Sequence, residues 1–469
     1  MSVGFWVLIY LIITLLVGIL TSRLVHNSND FLNASRGVPF LLSSFALFAF
    51  WFGSETIFGA TAEFIDHGFL GVIEDPFGGF LCLFLFALVF VKPLYRQNIL
   101  TLGDLFKKRY GGQIEIFSSF FMLITFFGYV AAQIIALSIL FESVFGIDAT
   151  AGKLVSAGIV TVYTAAGGMW AVSITDFIQS IVIVAGLLFL CIDLTGLVEI
   201  DSIFNPPKAH FFDFVPNPEN QMSWMDYLAA WLTLGIGSLA SQDIFQRANA
   251  AKTERIAITS TYFGAFLYLF IAMMPLYLGL LVYHIEPSLL EGDNQYALVG
   301  LVGNHAPFWL QVLFYGALIS AIFSTCSGAL LAPSSILAEN IFKPIFLKKS
   351  GDKKFLLISR LSVFLIGIGS TILAFGKTSI YELVSQSSIL GLVSILVPMF
   401  VALFFKNATK TGAMLSMISG LIFYLLAEYQ VINFSIPPLF VGFGFSIMGM
   451  VTGQFIVKQR NRSNLLPKH

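Results

Sequence analysis

A chain of 469 residues that is 57% hydrophobic and only 11% charged cannot cover a water-exposed surface, because soluble domains carry about 25% charged residues. The composition therefore excludes a soluble protein and points to an all-α chain that crosses a membrane many times. A formal net charge of -1 gives no reason to expect a nucleic-acid partner. Cys82, Cys191 and Cys326 lie in apolar runs without ligand spacing, which excludes a disulfide framework or a zinc centre.

Thirteen apolar runs follow one another, at residues 4–20, 38–64, 76–91, 116–145, 153–166, 170–198, 225–245, 256–283, 307–337, 355–375, 380–405, 412–427 and 437–456. Most are long enough to cross a hydrocarbon core of ~30 Å, which predicts roughly 13 transmembrane helices. The first has no basic segment before it and no small-residue cleavage site after it, so it reads as a retained helix. The outer loops at 199–224 and 284–306 are too short for a separate soluble domain. We therefore expect a single membrane domain over 1–469.

The second run contains AFWFGSETIFGATAEF, residues 49–64, with Glu55, Ser54, Thr56 and Thr61 between Gly53 and Gly59. The seventh, WLTLGIGSLASQ, is interrupted by Gly235 and Gly237. A glycine taken singly is most often a close-packing residue. Two interrupted segments five spans apart have a second explanation: an odd-numbered repeat re-enters the membrane upside down, and paired breaks then mark the midplane site of a transporter. Spans two to six and seven to eleven would form the two halves, with the core at 38–405 and flanking helices at 4–24, 411–428 and 436–457.

Two further runs carry polar faces. In GGMWAVSITDFIQSIVIVAG, residues 167–186, Ser173, Asp176 and Gln179 or Ser180 share one side of a helix. An ionisable group in a membrane helix needs a partner, so Asp176 is either a carboxylate that relays an ion or one end of an interhelical hydrogen bond. In GALISAIFSTCSGALLAPSSILAEN, residues 316–340, Ala317, Ala321, Ser324, Thr325 and Gly328 recur at helical spacing. Such a face either packs closely on a neighbour or, opposite an unwound segment, offers hydroxyl oxygens to a small hard cation such as Na+. The histidines, His26, His67, His210, His284, His305 and His469, fall in loops, helix ends or the tail. No enzyme-like acid, base or metal constellation emerges.

The stretches TAAGGMWAVSITDFIQS, IFQRANAAKTERIA and AIFSTCSGALLAPSSILAENIF resemble the corresponding segments of the sodium:solute symporter family, over nearly the whole chain. The resemblance implies a LeuT-type five-helix inverted repeat with flanking helices, and uptake of a small solute coupled to Na+ entry. It implies a Na+ site from the backbone carbonyls of Ala49, Phe52 and Ala321 and the hydroxyls of Ser324 and Thr325, with Asp176 as the ion-coupling carboxylate. EDPFGGFLCL and FVKPLYRQNILTLGDLFKKRYG resemble the high-affinity choline transporters within that family. Trp51 matches an aromatic of their substrate cage, but further cage positions hold Gly79, Ala131 and Ser241. Glu55 also departs from their pattern. It is either a counter-ion for a cationic solute or a hydrogen-bond partner for amides at the break. The expected solute is choline or a related cation, with a proline-like or other neutral solute as the alternative, bound near Trp51, Ser54, Glu55, Thr56 and Gln242. An uncoupled uniporter or a membrane sensor are readings from other classes, and no obligatory protein partner is expected beside the lipid bilayer.

With the N-terminus outside, Arg36, Arg247 and the basic clusters around 92–96, 107–109, 252–255, 343–354, 406–410 and 458–468 face the cytoplasm, against Lys153, Lys208 and Lys377 outside. That partition is what the positive-inside rule demands. A compact chain of this kind suits a plasma membrane, and in particular a bacterial inner membrane. Epitopes at the two termini should be reached from opposite sides, the N-terminal one without permeabilisation; both on one side would contradict the odd number of spans.

Overall fold

The computed structural model describes residues 2–21, 23, 25–205, 207–220, 222–346, 351–376 and 379–463. Lys348, Lys349, Lys377, Lys468 and His469 lie outside the described residues. In chain order the elements that build the membrane body are α1 (Val3–Thr21), α2 (Phe40–Trp51), α3 (Glu55–Gly71), α4 (Ile73–Arg96) and the short α5 (Leu102–Tyr110). Then come α6 (Gly112–Phe145), α7 (149–167), α8 (Gly168–Thr195), α9 (Trp224–Gly235) and α10 (Gln242–Ala250). The chain continues through α11 (Glu254–Ile285), α12 (Phe308–Phe346), α13 (Asp352–Gly376), α14 (Ile380–Phe404), α15 (Lys410–Glu428) and α16 (Pro438–Ser463).

Nine of the described helices are long and apolar enough to cross a bilayer, ten when the bent pair α2–α3 is taken as one span. The thirteen spans expected from the sequence also require α1, α7 and the interrupted pair α9–α10 to cross. All three are helical, but each is shorter or broken. The surface is apolar where lipid would lie, with Leu88, Phe120, Phe270, Ile372 and Phe455 exposed, while hydroxyls and carboxylates are turned inward. In a bilayer the helix ladder satisfies the backbone, so side chains are sorted by what they meet rather than by water.

The second and seventh runs are both interrupted. α2 and α3 meet at an angle of 51° across Phe52–Ser54, and Phe52 leaves the helix at φ -88°, ψ 66°. Gly59, by contrast, is helical and packs against Tyr381, so it is a contact residue and not part of the break. Between α9 and α10 a short tight turn, Gly237–Ala240, and an extended Ser241 interrupt the helix. α11 supports α2 from behind: Ser260 and Ser43 share a hydrogen bond of 2.9 Å, and Gly264 fits against the Ser44 carbonyl.

α7 and α8 join at Gly168, which has φ 57° and ψ -160°. A Cβ there would lie 2.5 Å from the Phe31 ring. Gly168→Ala should therefore lower stability by ~1–3 kcal/mol from backbone strain alone, with the clash added. Gly158, in α7 with open space where a Cβ would go, is the control: Gly158→Ala should leave the thermal unfolding midpoint unchanged or raise it.

Candidate functional site

The break between α2 and α3 removes backbone partners where no water can replace them, and side chains take their place. Thr325 of α12 donates its hydroxyl to the Ala49 carbonyl at 2.9 Å. The amide of Ser54 donates to Gln133 Oε1 of α6 at 3.1 Å. Glu55 accepts from Tyr129 Oη at 2.9 Å and from Gln133 Nε2 at 2.9 Å. Gly53 permits this arrangement, because a Cβ there would lie 2.7 Å from Glu55 Oε2 and 3.0 Å from Thr325 Cγ2. Glu55 thus sits beside the hydroxyl face of α12 and is held by two side chains of α6.

Ala321, Ser324 and Thr325 are all buried on adjoining turns of α12. Ser324 Oγ is buried with no hydrogen-bond partner. The Thr325 hydroxyl meets the Ala49 carbonyl at the junction, Ser324 lines a neighbouring cavity with Leu11, Gln179 and Ser320, and Phe52 lies three residues on from Ala49, where the helix ladder ends. This donor set suits a small hard cation, which accepts hydroxyl and carbonyl oxygens in place of its water. The described residues contain no group of three or more His, Cys, Asp or Glu side chains that could hold a metal ion.

A cavity of about 60 Å³ opens in front of the break. Its walls include Phe50, Trp51 and Glu55, then Phe126 and Tyr129 of α6, Ser238, Ser241 and Asp243 at the second break, and Ser387 and Ser388 of α14. Trp51 and Glu55 therefore share the cavity, as do both interrupted segments. Ser54 and Thr56 do not line it: the Thr56 hydroxyl lies 2.9 Å from Asp75 Oδ2 and 2.9 Å from Tyr268 Oη. Gln242 also turns away, accepting from the Leu102 amide at 2.8 Å and so fastening α10 to the start of α5. Asp243, the next residue, faces the cavity instead.

Asp176 is wholly buried in α8, with Arg247 Nη2 at 3.7 Å. Arg247, expected from the sequence to face the cytoplasm, is buried inside the protein. All nine residues of the half-helix α10 are buried, so Arg247, in its second turn, is still in the core. Its Nε donates to the Ala46 carbonyl at 3.1 Å, its guanidinium stacks 4.1 Å from the Phe50 ring centroid, and it fills the space that a Cβ at Gly328 would take. Arg247 thereby links Asp176 to α2 one turn before Ala49 and to α12 one turn after Thr325. Sequence reasoning missed Tyr129, Gln133, Asp243 and Asp75 as well. The only signal available was that Asp75 and Asp243 are acids beside an apolar run and a helix break.

A model of the sodium:solute symporter family matches residues 31–420. The high-affinity choline transporter 1 of Drosophila melanogaster is 28% identical over 427 residues, covering 87% of this chain and 68% of its own length. The human high affinity choline transporter 1 is 24% identical over 441 residues, covering 88% and 75%. The high-affinity proline transporter PutP of Bacillus subtilis is 27% identical over 446 residues, covering 87% and 88%. Among solved structures, a Na+-coupled sialic acid symporter in a substrate-bound outward-open state matches with a TM-score of 0.84 at 21% identity, over 97% of this chain and 98% of that one. Mhp1, a nucleobase-cation-symport-1 family transporter in a closed conformation, matches with a TM-score of 0.58 at 13% identity, over 94% and 96%. The architecture is the LeuT-type inverted repeat these symporters share. With the family model running over most of the chain and the fold shared from end to end, the chain belongs to the sodium:solute symporter family, as a multi-span transporter that couples Na+ to the movement of a small solute.

Proposed function

We propose that this symporter imports a small organic cation, with choline or a related amine as the first candidates. The observation that carries the reading is the cavity wall: two carboxylates, Glu55 and Asp243, line the same cavity as Trp51, where the two broken segments meet. A cation can use both the carboxylate charge and the aromatic face, whereas the carboxylate of a proline-like solute would meet two like charges. Gly79, Ala131 and Ser241 take positions where the resembling choline transporters supply rings, so charge replaces part of an aromatic cage. The choline transporters of fly and human support the cation reading, and the proline transporter of Bacillus subtilis keeps an amino acid as the competing one.

Na+ binds at Ala49, Phe52, Ala321, Ser324 and Thr325, where it would pin α2 against α12. The solute occupies the cavity at Trp51 and Glu55, and Asp176 acts through Arg247 on the helices that carry the Na+ ligands. Ser54, Thr56 and Gln242 support the break and the turn of α10 from behind. Residues 38–405 form the moving core and the remaining helices flank it, in a bacterial plasma membrane with the N-terminus outside. Each ligand favours the same closed arrangement, so each promotes binding of the other.

Two measurements test this. Replacing Ser324 and Thr325 together by Ala removes two neutral oxygens and one hydrogen bond, which should raise the Na+ concentration needed for half-maximal uptake about tenfold. An unchanged Na+ dependence would remove the site. A thermal-shift screen of the purified protein in Na+ against choline, betaine, primary amines, proline and sugars should show stabilisation by cations. Glu55→Gln should weaken that stabilising affinity at least tenfold, since a charge-assisted contact is lost. Stabilisation by proline or a sugar alone would contradict the cation reading.

A further inference from the structure

Against the Trp51 ring, and outside the walls of the cavity, three oxygen-bearing side chains form a closed ring. Asp75, at the start of α4, is 1% exposed. Tyr268 Oη of α11 meets Asp75 Oδ1, and Thr56 Oγ1 of α3 lies 2.9 Å from Asp75 Oδ2 and 2.9 Å from Tyr268 Oη. Thr56 Oγ1 is also 3.2 Å from the Trp51 carbonyl, the last residue before the break. These are four oxygen-to-oxygen contacts. A hydroxyl has one proton to give and a carboxylate has none, so an ionised Asp75 leaves two protons to serve the four. Even with Thr56 sharing its proton between Oδ2 and the Trp51 carbonyl, the Thr56 and Tyr268 oxygens would then face each other lone pair to lone pair in a buried site, where unmatched polar groups are most costly.

One more proton resolves this. If Asp75 is a neutral acid, its Oδ1 hydroxyl donates to Tyr268, Tyr268 donates to Thr56, and Thr56 shares its proton between Oδ2 and the Trp51 carbonyl. Every contact in the ring then has a hydrogen. No basic side chain offers the alternative of an ion pair: the titratable groups facing Asp75 are Glu55 from α3, Glu74 beside it, Tyr268 from α11 and Tyr381 from α14. Among the described residues no salt bridge reaches Asp75. A lone ionised carboxylate at such a place in a membrane protein is costly, and the proton is the smallest cation that neutralises it.

We propose that Asp75 is a proton-binding site, occupied in this conformation and separate from the Na+ junction. The ring ties α3 to α4 and α11, and it touches the solute cavity through one ring of carbons. A Cβ at Gly79 would lie 3.0 Å from Asp75 Oδ1 and 3.2 Å from Trp51 Cε3, and Trp51 packs edge-on to Tyr268 at 6.1 Å. When the proton leaves to water, the carboxylate stays behind and the ring opens at Thr56, in the first turn after the break. Movement of α3 is thereby linked to proton release, and the transport cycle acquires a dependence on pH that Na+ alone does not give.

Infrared spectroscopy of the purified full-length protein in Na+ buffer, without solute, tests the site independently of what the solute is. At neutral pH the wild type should show the carbonyl-stretch band of a buried protonated carboxyl. Asp75→Asn should lose it, because the amide reproduces the donor and acceptor of the acid but has no carboxyl. Glu55→Gln should keep it at the same frequency. Tyr268→Phe should keep it at a shifted frequency, since a hydrogen-bond partner is removed, and this assigns the band even if Asp75→Asn does not fold. No band in the wild type, a band that survives Asp75→Asn, a band that vanishes in Glu55→Gln, or one unmoved by Tyr268→Phe would each overturn the proposal.

Discussion

A helix interrupted inside a bilayer must find partners for its freed backbone groups within the protein, because the surrounding hydrocarbon has none to offer. The rest of this structure is arranged around that constraint at Phe52–Ser54. Gln133 takes the Ser54 amide, Thr325 serves the Ala49 carbonyl, and Thr56 reaches back to the carbonyl of Trp51. Each partner comes from a different helix, so the break fixes how α3, α6 and α12 stand around α2. Next to Thr325, Ser324 Oγ is buried without a hydrogen-bond partner, and in the proposed site a cation would supply one.

Charge follows from the same geometry. Glu55, Asp75, Asp176 and Asp243 are all buried, and among the described residues Arg247 is the one buried base. Burying carboxylates in excess of cations is unfavourable unless mobile cations share the space. In the proposed account, Na+, a protonated Asp75 and a cationic solute would answer that excess in three different places. Arg247 answers it in a fourth, by bridging Asp176 to the backbone at Ala46 while stacking on Phe50.

Much of the fold was legible because membrane helices announce themselves by composition, and because a glycine pair in one span was echoed five spans later. Gly53 and the Gly235–Gly237 pair mark the breaks. Gly59 looked the same in sequence and turned out to be a packing residue, since a missing Cβ serves close approach as readily as unwinding. The face of α12 was visible through its spacing, and Trp51 and Glu55 through their oddity. Gln242 was placed one residue from the side chain that faces the cavity, because the extended Ser241 resets the phase of the helix after it. Arg247 and Asp75 were hidden for a related reason: a charge near the end of an apolar run reads as interfacial until the tertiary fold shows which half-helix carries it inward.

In the proposed cycle Na+ holds the break in α2–α3 against α12. Amide hydrogen exchange, followed by mass spectrometry on the full-length protein in Na+ and in equal K+, addresses it most directly. The account predicts that Na+ slows exchange over residues 49–56 and 321–328, while the body of α11 is unaffected. Exchange that is the same in both salts at those two segments, or protection that appears only elsewhere, would contradict it.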